Sequence, residues 1–136
     1  MPDIQTQIDQ FLRSPAFGVA GASTRRDKYG NKVLRCYLQH GRTAVPVHPR
    51  EPSIEGVACV AEVSDLPAEV KSLSIITPPP VTEQVVEQAI ARGIENVWMQ
   101  PGAESAKAVA RCREAGVNVI ADGSCLLVVM GYHEHG

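Results

Sequence analysis

The chain has no long apolar run and no segment that resembles a secretory signal. Nowhere in its 136 residues is there a stretch of about 18 apolar residues, the length that a helix needs to span a bilayer. The opening segment, Met1-Pro-Asp-Ile-Gln5, supplies neither a basic region nor an apolar one. We therefore expect a cytoplasmic protein that does not associate with membranes.

The cysteines are few and widely spaced. The sequence has four, at positions 36, 59, 112 and 125, and no two of them form the C-x-x-C pair that metal and redox motifs use. In a cytoplasmic protein such cysteines normally stay reduced. We therefore expect free thiols, with neither a disulfide framework nor a metal site.

Aromatic side chains are also scarce, at 4% of the residues. Nucleic-acid-binding surfaces use aromatic rings as stacking platforms beside basic side chains. The net charge is −2, and outside residues 24–50 the chain is acidic. These features argue against a nucleic acid as the partner.

The basic residues are concentrated in one part of the chain. Seven of the 13 lysines and arginines lie between Thr24 and Arg50, where Asp27 is the only acidic residue. One interpretation is a solvated basic face. The other is a site for an anionic ligand, which is favoured because these residues surround a turn of small side chains.

Short apolar segments alternate with amphipathic ones. Strands are predicted at residues 17–20, 44–47, 72–76, 96–99 and 118–121, with a further short strand considered at 57–60, and helices at 4–14, 33–41, 81–93 and 103–116. Strands that are apolar along their length are typical of a parallel sheet covered on both faces. We predict an α/β fold: a single Rossmann-like domain over residues 1–136, with a mainly parallel sheet of five or six strands and helices on both faces.

The first predicted strand runs directly into the turn Gly21-Ala22-Ser23. Small residues let the backbone N–H groups of a turn approach a ligand closely. A helix beginning near Asn31 brings the partial positive charge of its N-terminus to the same place, and Arg25 and Lys28 lie between. This arrangement is typical of the first βα unit of a mononucleotide-binding protein and predicts a phosphate-bearing ligand.

The end of the second predicted strand distinguishes between nucleotides. An NAD-binding enzyme places an acidic residue here to hold the ribose, whereas this chain has Val47-His48-Pro49-Arg50. The turn after the first strand also lacks the G-x-G-x-x-G spacing of the dinucleotide fingerprint. His48 and Arg50 suit a phosphorylated ribose, which leaves NADP and a 3′-phosphorylated adenosine as candidates.

Two further strand ends are candidate site elements, because ligands of such folds bind where parallel strands end. Thr77 and Pro78 follow the third strand. The proline segment that they begin either presents them to a ligand or only separates a strand from a helix. Gln100 ends the fourth strand, where its amide could reach a ligand or the backbone.

Several blocks of the sequence resemble one family. They are Val19-Ala-Gly-Ala-Ser23, Lys28 with Gly30-Asn31-Lys-Val33, Val45-Pro-Val-His-Pro49, Ile54-Glu-Gly56, Val97-Trp-Met-Gln-Pro-Gly102 and Ala115-Gly-Val-Asn-Val119. With these blocks in this order, the chain resembles the stand-alone CoA-binding domain family. The fold of that family is that of the N-terminal domain of the succinyl-CoA synthetase alpha subunit.

The resemblance implies a Rossmann-like site for coenzyme A. It places Gly21-Ala22-Ser23 and Lys28 at the pyrophosphate, Pro46-Val47-His48-Pro49 beside the adenosine, and Thr77-Pro78 along the pantetheine arm, with Gln100 nearby. Asn31 belongs to the same sequence block as Lys28 and is counted with the pyrophosphate residues. Because arginine grips phosphate in a bidentate manner, Arg25 or Arg50 is expected at the ribose 3′-phosphate.

One block departs from the family pattern. Where the family often has an Asn-Arg-Cys-like sequence, this chain has Asp122-Gly-Ser-Cys125, which keeps the cysteine and lacks the arginine. We interpret Cys125 as an inert, buried cysteine. The alternatives are a reactive thiol and a mixed disulfide with CoA.

No catalytic residues are predicted. Ser23 has no obvious base beside it, and a serine in a turn usually bonds to backbone or phosphate. His48 is interpreted as a ligand contact. We therefore expect a protein that binds CoA or an acyl-CoA without catalysis, and a protein partner or homo-oligomer stays open. The alternatives are an NADP- or nucleotide-binding regulator and an enzyme of CoA thioester chemistry that uses Cys125 or His48.

Overall fold

Five parallel strands form the central sheet of the computed structural model, which describes residues 2–134. In chain order the elements are α1 (Ile4–Leu12), β1 (Ala16–Ala20), α2 (Tyr29–Gln39), β2 (Thr43–Val47), β3 (Ser53–Ile54), β4 (Val57–Ala58), a 3₁₀ turn (Val63–Asp65), β5 (Val70–Ile75), α3 (Pro79–Arg92), β6 (Asn96–Met99), α4 (Ala106–Glu114), β7 (Asn118–Ile120) and α5 (Leu126–Met130). Strands β3 and β4 form a separate antiparallel hairpin.

The sheet order is β2-β1-β5-β6-β7. The chain moves from β1 outward to β2, then crosses back over β1 to begin the second half of the sheet at β5. The direction of winding therefore reverses between β1 and β5, and the crevice at their carboxyl ends is the place where such folds bind ligands.

The two faces of the sheet carry separate hydrophobic clusters. On one face, α1, α2 and α5 pack against side chains such as Phe17, Trp98 and Ile120. On the other, α3 and α4 pack against side chains such as Leu73 and Met99. The alternation of strand side chains between the two clusters covers the sheet with helices on both faces, and the predicted Rossmann-like α/β class is confirmed.

Most predicted elements are found with shifted ends. The strand at 96–99 is found with the predicted bounds. Helix α2 begins at Tyr29, two residues before the start expected near Asn31 and four before the helical segment predicted at 33–41. The short strand considered at 57–60 is found at residues 57–58 as β4, and an isolated bridge joins Val47 to Val60. Its partner strand β3 and the helix α5 were not predicted.

Within residues 2–134, no helix is long enough and apolar enough to cross a membrane.

A buried polar seam joins α1 to the middle of the sheet. The hydroxyl group of Ser72 donates to the carbonyl oxygen of Phe11 at 2.7 Å, and the Nδ2 group of Asn96 donates to the same hydroxyl at 3.1 Å. Asn118 continues the seam by donating to the Oδ1 atom of Asn96 at 3.0 Å. The buried side chains of Ser72 and Asn96 are thereby satisfied away from water, which is what allows them inside the core.

We predict that Ser72→Ala destabilises the fold by about 1–3 kcal/mol, because the Phe11 carbonyl and the Asn96 amide lose a partner where water does not replace it. Urea unfolding of the variant and the parent chain measures this difference in the free energy of unfolding. The control is Ser53→Ala, since Ser53 is exposed in β3. If Ser72→Ala and Ser53→Ala had the same free energy of unfolding, the hydrogen bonds of Ser72 would contribute nothing to stability.

Candidate functional site

The turn after β1 requires a glycine at its first position. Gly21 has φ of +96°, in the left-handed region. A Cβ atom there would lie 2.2 Å from the carbonyl oxygen of Ile76. The turn therefore passes over the end of β5 at a distance that only glycine permits.

A second glycine brings the helix against this turn. Gly30 is the second residue of α2, and a Cβ atom there would lie 2.0 Å from the carbonyl oxygen of Gly21. The N–H groups of Tyr29 and Gly30 have no acceptor inside the helix, since no helical carbonyl precedes them by four residues. The N-cap residue, Lys28, makes no capping bond with its side chain. The helix thus presents a free N-terminus beside the turn, which is a suitable site for an anion.

Asn31 holds the turn from inside the protein. It is fully buried, and its Nδ2 group donates to the carbonyl oxygen of Ser23 at 2.9 Å and to the carboxylate of Glu55 at 3.1 Å. Its Oδ1 atom accepts from Arg35 at 2.7 Å. Because the amide is fully engaged with protein groups, Asn31 positions the Gly21-Ala22-Ser23 turn and does not face the crevice.

Glu55 is a site residue whose role the sequence reasoning missed. It lies at the tip of the β3–β4 hairpin with φ of +51°, and its carboxylate lies 3.5 Å from the Nε atom of Arg26 as well as within hydrogen-bond distance of Asn31. The hairpin is therefore tied to the phosphate turn. The signal that could have located it is Glu55-Gly56 between two short β-prone segments, which is the pattern of a tight hairpin.

The basic side chains of the turn are directed at solvent. Arg25 pairs with Asp27 at 3.2 Å, and both side chains are about two-thirds exposed, at 66% and 68%. An ion pair in water at this exposure contributes little, so Arg25 can exchange its carboxylate for a phosphate at small cost. Lys28 is exposed as well. The hydroxyl group of Ser23 accepts from the backbone N–H of Arg25 at 3.1 Å and so helps to shape the turn.

The segment after β2 is shaped by His48. The Nδ1 atom of His48 accepts from the backbone N–H groups of Arg50 and Glu51, each at 3.0 Å. Neutral His48 therefore carries its proton on Nε2, and that atom remains available to a ligand. Val47 is half-buried, whereas Pro49 and Arg50 are exposed.

The segment after β5 leads into α3. The hydroxyl groups of Thr77 and Thr82 lie 2.7 Å apart, and Thr82 also lies 3.2 Å from the carbonyl oxygen of Thr77. Pro78 is the N-cap residue of α3, and Pro79 begins the helix with its φ already suited to it. The prolines therefore separate strand from helix, and Thr77 stays half-buried at the edge of the crevice.

Gln100 is buried at the end of β6 and takes part in a small network. Its Oε1 atom accepts from the hydroxyl group of Tyr29 at 3.1 Å and from the backbone N–H of Leu126 at 2.9 Å. The same Tyr29 hydroxyl is in hydrogen-bond contact with the Sγ atom of Cys125. Burial and the contact with Cys125 raise the pKa of Tyr29, which stays protonated. Cys125 is half-buried, so the expectation that it is a buried cysteine is wrong.

The predicted segments do converge on one edge. Ala20 is in register with Val47 on one side and with Ile75 on the other. The turn after β1, the segment after β2 and the segment after β5 therefore lie side by side, and β6 adds Gln100 next to them. Two of the predicted contacts, Asn31 and Gln100, have no exposed surface and support this edge from within.

Open grooves elsewhere on the protein do not coincide with this edge. One of about 620 Å³ lies between α3 and α4, with Glu83, Glu87, Lys107 and Arg111 in its wall. Arg111 and Glu87 already pair there at 3.0 Å. The candidate site lies instead at the carboxyl edge of the sheet, where the N-terminus of α2 meets the segments that follow β1, β2 and β5. Among residues 2–134, no three His, Cys, Asp or Glu side chains are grouped to hold a metal ion.

Comparison with known proteins identifies the family. The family described as a CoA binding domain matches residues 16–130. A conserved hypothetical protein from Pyrococcus furiosus is 36% identical, with a TM-score of 0.80, and the match covers 84% of this chain and 97% of that one. A hypothetical protein from Pyrococcus horikoshii is 27% identical, with a TM-score of 0.86, over 98% of this chain and 90% of that one.

A curated relative extends the comparison to a larger protein. The alpha subunit of acetate–CoA ligase (ADP-forming) II from Pyrococcus furiosus is 28% identical over 91 residues, or 66% of this chain. The match covers one fifth (20%) of that subunit. The protein is thus an α/β protein whose sheet reverses its direction of winding between β1 and β5, and the chain belongs to the CoA binding domain family.

We predict that Gly30→Ala destabilises the protein, although alanine is the better helix former. Helix propensity alone would stabilise the variant by about 1 kcal/mol. The clash with the Gly21 carbonyl, with contacts far below van der Waals distance, reverses that sign and costs about 1–3 kcal/mol. Denaturant unfolding gives the sign directly. An increase in stability would mean that α2 does not approach the turn as closely as described.

Proposed function

We propose that the chain binds coenzyme A or an acyl-CoA at the crevice between β1 and β5, without catalysing a reaction on it. The observation that carries the proposal is the cradle made by Gly21 and Gly30, in which a bare turn and a free helix N-terminus meet at the switch point. Membership of the CoA binding domain family names the ligand class.

In the proposed complex the pyrophosphate lies on the Gly21-Ala22-Ser23 turn. Backbone N–H groups and the N-terminus of α2 would meet its oxygens, and Lys28 and Arg25 would supply positive charge from the solvent side. Asn31 and Glu55 would act indirectly, by fixing the turn. The site would then need little rearrangement to accept the ligand, which reduces the entropy lost on binding.

The adenosine would lie over the segment after β2. Val47 and Pro49 supply apolar contact, and the free Nε2 atom of His48 supplies a hydrogen bond. Arg50, exposed at the end of this segment, would grip the ribose 3′-phosphate, with Arg25 as the other candidate. The pantetheine arm would leave in the opposite direction, past Thr77 and Pro78 and toward the end of β6, where Gln100 supports the wall.

Two groups could take part in catalysis, the hydroxyl of Ser23 and the imidazole of His48, and their hydrogen bonds support a binding role instead. Within the described residues, the Ser23 hydroxyl accepts from a backbone N–H and the Nδ1 atom of His48 accepts from two. Neither group is paired with a carboxylate that could orient it for proton transfer, as a catalytic pair requires. We propose that the protein works in the cytoplasm as one CoA-binding unit, and that any activity of the kind found in the larger ligase subunit would require other domains.

The proposal is tested by thermal shift with CoA, acetyl-CoA, dephospho-CoA, NAD and NADP in parallel. A ligand that binds only the folded state stabilises it by about 2.7 kcal/mol at one hundred times its Kd. We expect a raised Tm with CoA and acetyl-CoA, and a smaller rise with dephospho-CoA. A response to NADP with none to CoA would replace the proposal with an NADP-binding regulator.

We predict that Arg50→Ala weakens CoA binding about tenfold or more and leaves dephospho-CoA binding unchanged, because the 3′-phosphate loses a charge-assisted hydrogen bond. Isothermal titration with both ligands measures the two affinities. The matched control is Arg13→Ala, since Arg13 is an exposed arginine at the opposite edge of the sheet. Arg25→Ala is titrated alongside. If neither Arg50→Ala nor Arg25→Ala weakens the binding of CoA more than that of dephospho-CoA, the 3′-phosphate is held by other residues.

A further inference from the structure

The order of the strands gives the proposed ligand a direction. With the adenosine at β2 and the pyrophosphate at β1, the pantetheine arm crosses the ends of β5 and β6, and the next strand in the sheet is β7. The chain leaves β7 at Ile120 and reaches Cys125, the residue that precedes α5. In the proposed complex, the thiol end of the ligand would therefore lie at the same end of the crevice as the thiol group of Cys125.

Cys125 is built into this end of the crevice by the Tyr29 network. Tyr29 has one hydroxyl proton, which it donates to the Oε1 atom of Gln100 at 3.1 Å. The thiol group of Cys125 is then the donor to the Tyr29 oxygen. Cys125 is half-buried, so unlike Cys36 and Cys112 it is not enclosed in the core.

A second observation in the same network points to a ligand. Gln100 has no exposed surface, and its Nε2 group has no hydrogen-bond acceptor among residues 2–134. Its partner atom in the same amide, Oε1, is fully used by Tyr29 and Leu126, which fixes the orientation of the group. A buried donor without an acceptor is costly, and a carbonyl group of the pantetheine arm would satisfy it once the side chains that cover Gln100 shift on binding.

The other cysteines lack this combination. Burial raises the pKa of the thiols of Cys36 and Cys112 to about 11, and both lie inside the core. Cys59 is half-buried, but it follows β4, whose neighbour in space is β2, at the adenosine side of the crevice. Burial also raises the pKa of the Cys59 thiol. Cys125 is thus the cysteine whose position matches the thiol end of the ligand.

We propose that Cys125 is a covalent thiol site that forms a mixed disulfide with coenzyme A, an inference that rests on the proposed function. The Cys125 thiolate attacks one sulfur atom of a CoA-containing disulfide. A sulfur–sulfur bond forms between Cys125 and CoA, and the original disulfide bond breaks. The second thiol leaves as a thiolate and takes up the proton that Cys125 released, so no further oxidant is required.

The test exposes the full chain to CoA disulfide and, separately, to glutathione disulfide at the same concentration. Intact-mass spectrometry follows the reaction, and peptide mapping locates the modified residue. We expect one CoA per chain, attached to Cys125 and removed by a reductant. Because binding concentrates the reagent at the site, CoA disulfide should react about tenfold faster or more. Excess acetyl-CoA, which occupies the crevice without a free thiol, should slow it.

Two variants separate the possible outcomes. Cys125→Ala should abolish the modification, and Cys59→Ala, the matched control, should leave its rate unchanged. Titration of Cys125→Ala with CoA under reducing conditions tests the proposed function independently. If CoA binds but Cys125 reacts equally fast with both disulfides, or not at all, the covalent site is wrong while the CoA site stands. If CoA does not bind, both are wrong.

Discussion

The structure depends on Gly21 and Gly30, two positions at which the neighbouring backbone leaves no room for a side chain. The carbonyl oxygen of Gly21 lies against the Cα atom of Gly30, and the Cα atom of Gly21 lies against the carbonyl group of Ile76. These contacts bring β1, the first turn of α2 and the end of β5 together. They also leave the helix N-terminus uncovered, because the residues that approach it carry no side chain that could fill it. The open N-terminus of α2 at this edge is therefore a consequence of packing, before any charged residue contributes.

Much of the sheet could be predicted because the residues that end its strands and helices, mainly glycine and proline, are close to them in the sequence. Residues 96–99 were located correctly since Gly93 precedes them and Pro101 follows, and neither continues a strand. The segment LLVVM of α5 escaped prediction because a five-residue apolar run has no helical period, and its N-cap residue, Cys125, makes no side-chain cap. Strand β3, the partner of β4 in the hairpin, was missed because it has only two residues.

The convergence of the candidate segments on one edge of the sheet was predictable from the strand ends, but the contacts of individual side chains were not. Asn31 and Gln100 have polar side chains at the ends of a helix and a strand, and from the sequence alone this position suggests a ligand contact. In three dimensions their partners come from Glu55, 24 residues away from Asn31, and from Tyr29, 71 residues away from Gln100. Which polar group is turned inward depends on these distant contacts, and no local pattern encodes them.

The two hydrophobic clusters have a consequence for how such proteins diverge. The wall of the crevice that begins α2 is anchored in one cluster, and the wall that begins α3 is anchored in the other, with the sheet between them. Substitutions in one helical layer are thus repacked without disturbing the opposite wall. The α2 wall of the proposed crevice can be inherited unchanged while the α3 wall drifts. Related chains can then keep one half of the proposed site and differ freely in the other.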